Sequence, residues 1–340
     1  MFRTPPLAFV CVMLLPVVAQ AQAVSEEERA EGFVSMFNGQ DFSGWQFSGG
    51  GYALPELPAN WKVEDGMIRL SGGGSPHLGS QWDYQDFDMR FEWRSAKDRY
   101  NSGFFIRSNR KVGNNQINLA SGGEGRFFGG KMTGGAAVPE LQNAPTEWNQ
   151  WRVLVVGDKV TFWCNGKLAW EGTEFASERG HIGLQAEGAA LDFRNLRIKE
   201  LGVENLCDIK RWTNAGEHWK PQDDALASDG SKSPLVTLRD DYGDFVLRLE
   251  WRDAKAAGGQ VTLLGSDGRE SVALAAVEDA VNPAGQWNYF ELLRTGGDAQ
   301  AWLNDKTQAG KLATGGSAVS ITDAGGTLEL RDVRIREIMK

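Results

Sequence analysis

Histidine and cysteine are scarce in this sequence. Three histidines in 340 residues, without a Cys-x-x-Cys pair, leave no material for a structural zinc site or a His-rich metal centre. Cys11 falls in an apolar run near the start, so only Cys164 and Cys207 are open to pairing. Their separation in sequence leaves both a bridge and two free thiols open. Basic charge is short as well. The net charge is −9 and no Lys/Arg cluster occurs, which argues against nucleic acid as a partner, because phosphate contacts need a basic face. Beyond residue 23 no apolar run approaches the roughly 20 residues of a membrane-spanning helix.

The first 23 residues have their own character. Arg3 supplies a positive start, Leu7 to Val18 an apolar core, and Ala21-Gln22-Ala23 the small residues of a cleavage site. Residues 1–23 are expected to be a signal peptide, with the mature chain starting at Val24 and exported to the periplasm or beyond the cell. With 41% hydrophobic and 24% charged residues, the remainder reads as globular, and its length fits about two domains.

The chain repeats itself. Glu92-Trp93-Arg94 recurs as Glu250-Trp251-Arg252, and in each case another tryptophan, Trp61 or Trp219, lies 32 positions earlier. Trp148-Asn149 recurs as Trp287-Asn288, and Trp163-x-Asn165 as Trp302-x-Asn304. The stretch Arg194 to Leu201 is answered by Arg331 to Ile338. Two tandem copies are expected, over 33–201 and 203–340. Each carries period-2 alternation, as in Phe87, Met89, Phe91 and Trp93 against Asp88, Arg90, Glu92 and Arg94, which marks strands with one face in a core. Gly157-Asp158 inside an apolar run signals a hairpin. Ser25 to Glu31 is the only helix-like segment. The fold class is therefore all-β, two antiparallel sandwiches in series.

The copies differ in an informative way. From Ser108 to Trp148 the first spans 40 positions, while Ser266 to Trp287 spans 21, so the first carries 19 extra residues. Asn101-Ser102-Gly103-Phe104-Phe105-Ile106-Arg107 aligns with Gly259 to Gly265, which lacks the Asn, Ser and Arg. Gly183-Leu184-Gln185 has no counterpart near Ser320 to Gly325. Groups kept in both copies belong to the fold, and Glu92 and Arg94 are among them. Groups kept in one are candidates for a site, and loops are where sites concentrate on β scaffolds.

Phe37-Asn38-Gly39-Gln40-Asp41-Phe42-Ser43-Gly44-Trp45 resembles the opening of the 3-keto-disaccharide hydrolase family. Trp61-Lys62-Val63-Glu64-Asp65-Gly66, Asn101-Ser102-Gly103, Gln116-Ile117, Glu147-Trp148-Asn149, Gly183-Leu184-Gln185 and Phe193-Arg194-Asn195 follow in family order. The resemblance covers about Phe33 to Leu201. It implies a concanavalin A-like jelly roll in each half, the second a degenerate copy, and a carbohydrate ligand. By the same match Asn101, Gln116 and Gln185 are implied as substrate-binding, with Arg107 beside them. Asn114, Asn115 and Asn118 depart from the family pattern, and Glu187 stands where members carry histidine. Lys131, on the insertion, is a further binding candidate.

The chemistry expected is cleavage of a 3-keto-glycoside. A carbonyl at C3 acidifies the neighbouring C–H, so proton abstraction, elimination and water addition break the glycosidic bond. That needs a base and a group that stabilises the enolate; Glu187 and Arg107 are assigned these catalytic roles. His77 lies in a Gly/Ser/Pro loop that can approach the site, and His181 reads as a surface strand residue. The loops offer oxygen ligands for a divalent cation, but no known cation motif is present and no metal ligand is assigned. Jelly-roll glucanases carry Glu-x-Asp-x-Glu on one strand; this chain has no such run. The alternative reading is a lectin-like carbohydrate-binding protein on the same fold. In either case Asn101, Arg107, Gln116, Gln185 and Glu187 are expected on one concave face.

Overall fold

The computed structural model describes residues 24–48, 57–109, 111–213, 215–222, 225–255, 258–265, 268–275, 280–304, 306–307, 312–313 and 318–338. The expected leader, 1–23, lies outside them. Among the described residues no helix is long and apolar enough to cross a membrane. The chain separates into two compact units, 1–200 and 201–340.

In the first unit two antiparallel sheets enclose one core. The larger runs in the order Lys167–Gly172, Lys159–Cys164, Asn149–Val156, Phe87–Ser95, Leu191–Glu200, Met67–Leu70, Trp61–Glu64, with Val34–Ser35 also on Leu191–Glu200. The smaller runs Trp45–Phe47, Leu78–Tyr84, Gly180–Leu184, Gly103–Ser108, Gln116–Asn118, Phe127–Phe128. Alternation places the core as read: Phe87, Met89, Phe91 and Trp93 are buried in it, facing Phe104, Ile106, Ile182 and Leu184 of the other sheet. The Gly157-Asp158 turn joins Asn149–Val156 to Lys159–Cys164, with Val156 opposite Lys159. The short helix Glu26–Glu31 is capped by Ser25, whose side chain accepts from the Glu28 N–H at 3.1 Å. The fold is a jelly-roll β-sandwich.

The second unit has a core of its own around Trp219, Phe245, Leu247, Leu249 and Trp251. Its larger sheet runs Trp219–Gln222, Ala225–Ser228, Leu328–Glu337, Phe245–Asp253, Asn288–Thr295, Asp298–Leu303, Lys306–Thr307, and its smaller Leu235–Val236, Ala318–Asp323, Gly259–Gly265, Gly268–Ala273. The larger sheet repeats the order of the first unit's larger sheet, and the smaller repeats the four strands from Leu78–Tyr84 to Gln116–Asn118, with no counterpart of Trp45–Phe47 or Phe127–Phe128 among the described residues.

The charged residues common to both halves are structural. Trp148 lies between the guanidinium groups of Arg94, 4.6 Å from the ring centroid, and Arg194, 3.8 Å. Trp287 lies between Arg252 and Arg331 at 4.5 and 4.0 Å. Glu92 holds Arg194 and Glu250 holds Arg331, each at 2.7 Å. Such stacked, ion-paired ladders brace the outer face of a sheet. Both cysteines are free thiols, and burial pushes Cys164 up to about 12 and Cys207 up to about 11.

One alignment needs correcting. The residues that face the core are Phe104 and Ile106 in one unit and Val261 and Leu263 in the other. Gly103 therefore matches Gln260, and Phe105 matches Thr262, one position from the sequence alignment. With a side-chain period of two, a one-residue slip exchanges the faces.

Candidate active site

The face of the smaller sheet turned away from the core of the first unit carries the polar residues that the second unit lacks. Gly183 pairs with Phe105, and Phe105 with Gln116. Gln116 in turn pairs with Phe128. Because partners in register share a face, Phe105, Gln116 and Phe128 lie in one row. Phe128 is 43% exposed, an aromatic ring open beside Gln116. The equivalent row of the second unit is Ser320, Thr262 and Ser271.

One step along the strands the row holds Gln185 and Gly103, joined by a 2.8 Å bond from the Gln185 N–H to the Gly103 carbonyl. The two glutamines meet here. Gln116 Nε2 donates to Gln185 Oε1 at 2.9 Å and to the Ser102 carbonyl at 3.3 Å. The Asn-Ser-Gly segment has a distinct task for each residue. Ser102 Oγ donates to the Gln185 carbonyl at 2.7 Å, fixing the end of the neighbouring strand. Gly103 leaves room for the Gln116 amide, since a Cβ there would fall 2.1 Å from Nε2. Asn101 abuts Gly188: a Cβ on that glycine would lie 3.9 Å from the Asn101 Cβ. Glu187 is half-buried and has no ion pair or side-chain hydrogen bond among the described residues. A carboxylate without such partners is free to accept a proton from a ligand.

His77 belongs to this cluster. Its ring stacks on Phe105 with centroids 5.5 Å apart, and its Nδ1 accepts the Ala186 N–H at 3.1 Å. With Nδ1 an acceptor, the ring proton of the neutral form sits on Nε2. Burial holds the His77 pKa below the ordinary value of 6.5. Protonation therefore favours the unfolded chain, and the contribution of this ring to stability is lost as pH falls from 6.5 through its folded pKa. A ring titration followed by NMR is expected to give a midpoint below 6.5; a midpoint at or above 6.5 would contradict this environment. The sequence offered only one hint of His77, its place in a Gly/Ser/Pro loop.

Two assignments are corrected. Arg107 does not reach this face. Its backbone turns through φ +42°, and its side chain, 1% exposed, lies at the end of the sandwich. Nε donates to the Gln85 carbonyl, Nη1 to the carbonyls of Gly157 and Ser177 at 2.7 Å, and Nη2 to Asp86 at 2.7 Å. The guanidinium is a staple between the hairpin of one sheet and the strand end of the other, with four of its five N–H donors held by these groups. Lys131 is exposed, and its segment is tied through its carbonyl to the Ala176 N–H at 3.0 Å, not to the glutamines. His181 is held by the Ser80 carbonyl, 2.9 Å from Nδ1. Among the described residues no three His, Cys, Asp or Glu side chains come together in a way that could hold a metal ion.

Residues 32–199 match the family model of the 3-keto-alpha-glucoside-1,2-lyase-like domain. The first unit belongs to that family. A 3-keto-disaccharide hydrolase of Bacteroides thetaiotaomicron is 25% identical over 235 aligned positions, covering 51% of this chain and 79% of the relative. Among solved structures, a candidate glycosyl hydrolase of Parabacteroides distasonis is 24% identical with a TM-score of 0.42, covering 53% of this chain and 98% of that one. A carbohydrate-binding module of Bacillus subtilis is 16% identical with a TM-score of 0.36, over 46% and 96% of the two chains. The 3-keto-alpha-glucoside-1,2-lyase-like unit is thus a carbohydrate-active, hydrolase-like domain, and its family segments are the ones that build the amide pair.

Proposed function

We propose that the first unit cleaves 3-keto-glycosides by elimination followed by hydration. The observation that carries this reading is the Gln116–Gln185 amide pair beside an Nε2-protonated imidazole, His77, with the carboxylate of Glu187 two residues along the chain from Gln185. In a 3-keto sugar the C3 carbonyl acidifies the C2–H. Glu187 takes that proton, the C2–H electron pair becomes the C1–C2 double bond, and the C1–O bond breaks with its electrons on the leaving oxygen. His77 Nε2–H donates to the C3 oxygen, where charge gathers as the proton leaves. The proton held by Glu187 passes to the leaving oxygen, and water then adds across the new double bond to give the free 3-keto sugar. The glutamines hold ring hydroxyls, and Phe128 offers a face for the apolar side of the ring.

This reading moves the enolate-stabilising role from Arg107 to His77. Incubation of the purified protein with 3-keto disaccharides is expected to release the aglycone sugar, and the unoxidised disaccharides are expected to stay intact. Retention of the keto sugar without release would instead support the lectin-like alternative. We further propose that the second unit is a copy that keeps the fold without the site, as the shared strand order and the row Ser320, Thr262 and Ser271 support. The leader-like residues 1–23 support export; N-terminal sequencing of mature protein is expected to begin at Val24, and a start at Met1 would count against it.

A further inference from the structure

The row through Phe128, Gln116 and Phe105 should continue as an open groove over Gly183 and Gly79, which follow in register across the sheet. It does not. Val112, from the loop after the strand Gly103–Ser108, lies on these two glycines and is fully buried there. A Cβ on Gly183 would fall 2.2 Å from Val112 Cγ1, and one on Gly79 2.5 Å from Val112 Cγ2. The valine adopts φ +50°, a left-handed conformation that is strained for a β-branched residue. Side-chain contacts alone would not hold a free loop in that state, and the loop is wired. The Val112 N–H donates to the Asn109 carbonyl at 2.8 Å. Ser108 Oγ accepts from the N–H groups of Gly113 and Asn114, and Asn114 Oδ1 accepts from Ser108 Oγ and the Asn109 N–H.

We infer that Val112 is a specificity-determining residue, a fixed wall that ends the groove. The wall stands one row, about 7 Å along the strands, from the row of His77 and Gln185. Phe105 is itself buried under the His77 ring, so a sugar chain running from Phe128 across that ring meets the wall next. The site therefore accepts a ring at the non-reducing end of a glycoside, with the leaving group toward Phe128, and rejects a ring that carries a further substituent on the far side. This rests on the proposal that the face binds carbohydrate. The second unit has Ser320 where Gly183 stands, so no such seat for a side chain exists there.

The test uses four ligands in calorimetric titration: 3-keto-cellobiose oxidised on its non-reducing ring and cellobiose itself, each with and without a benzyl ether on O4 of that ring. In the wild-type chain the cap is expected to weaken binding by about tenfold or more, the scale on which a filled pocket discriminates. Val112→Gly removes the wall and suits the left-handed backbone. Gly79→Ala places a methyl group that collides with the Val112 side chain alone, the next neighbour being Gln46 Cγ at 3.8 Å, and so expels the wall by an independent route. Both variants, checked for an intact thermal transition, are expected to bring capped and uncapped ligands to within about threefold. A cap that costs nothing in the wild type, or a cost that survives in both folded variants, overturns the inference, as does failure of the wild type to bind any of the four. If oxidation at C3 proves irrelevant to binding, the keto-sugar reading fails, and the cap ratio on cellobiose still judges the wall.

Discussion

Replacing Glu187 by glutamine is expected to lower turnover of a 3-keto disaccharide by roughly 10²–10⁴-fold, the usual worth of a positioned general base. Binding of the same sugar should change little, because glutamine keeps the shape and the hydrogen-bonding oxygen of the side chain. Thermal unfolding should not move, since Glu187 has no ion pair or side-chain hydrogen bond among the described residues to lose. The split matters. A carboxylate with a structural role would shift the melting temperature, and one that only binds sugar would raise KM with kcat intact. Unchanged kcat in Glu187→Gln would remove the base from the proposed mechanism. His77→Asn provides the complementary measurement, with the low-pH fall in kcat displaced or lost.

Arg107→Ala is expected to have the opposite signature. The change removes a buried cation that binds Asp86 and the carbonyls of Gln85, Gly157 and Ser177, leaving those acceptors beside a cavity. Breaking a buried charge pair from one side costs about 3–5 kcal/mol. For a domain of this size that is a drop on the order of 10 °C in melting temperature. Arg107→Lys should recover little of it, because an ammonium group cannot span acceptors arranged around a planar fork. Sugar binding by whatever fraction stays folded should be normal. A stable Arg107→Ala protein that had lost only ligand binding would restore the residue to the site.

Absence of Arg107 from the second unit does not mark a functional residue, because a structural group can be lost from one copy too. The second unit keeps Asp244 at the matching turn, where it accepts the Gly296 N–H at 2.9 Å as Asp86 accepts that of Gly157 at 2.9 Å. It does so without a counterpart of Arg107, and Arg294 of a neighbouring strand donates to the Gly243 carbonyl instead. Gln116 and Gln185, which the second unit also lacks, touch each other and face away from the core.

The sequence by itself determined that the chain is all-β, that two sandwich units follow one another, which alternate residues are buried, and where the hairpin at Gly157-Asp158 lies. These follow from side-chain period and turn chemistry, which are local and written in neighbouring residues. It also singled out Gln116 and Gln185, which touch each other in the folded chain. Only the tertiary structure decided that Arg107 turns away, that His77 joins the cluster through the Ala186 N–H, and that Val112 ends the groove. Three of the acceptors of Arg107 are backbone carbonyls 22 to 70 positions away. The donor to His77 is 109 positions away, and the seat of Val112 is two glycines on different strands. Every residue but proline carries the same N–H and every residue the same C=O, so which of them meets a given side chain leaves no mark in the sequence and is settled when the sheets pack.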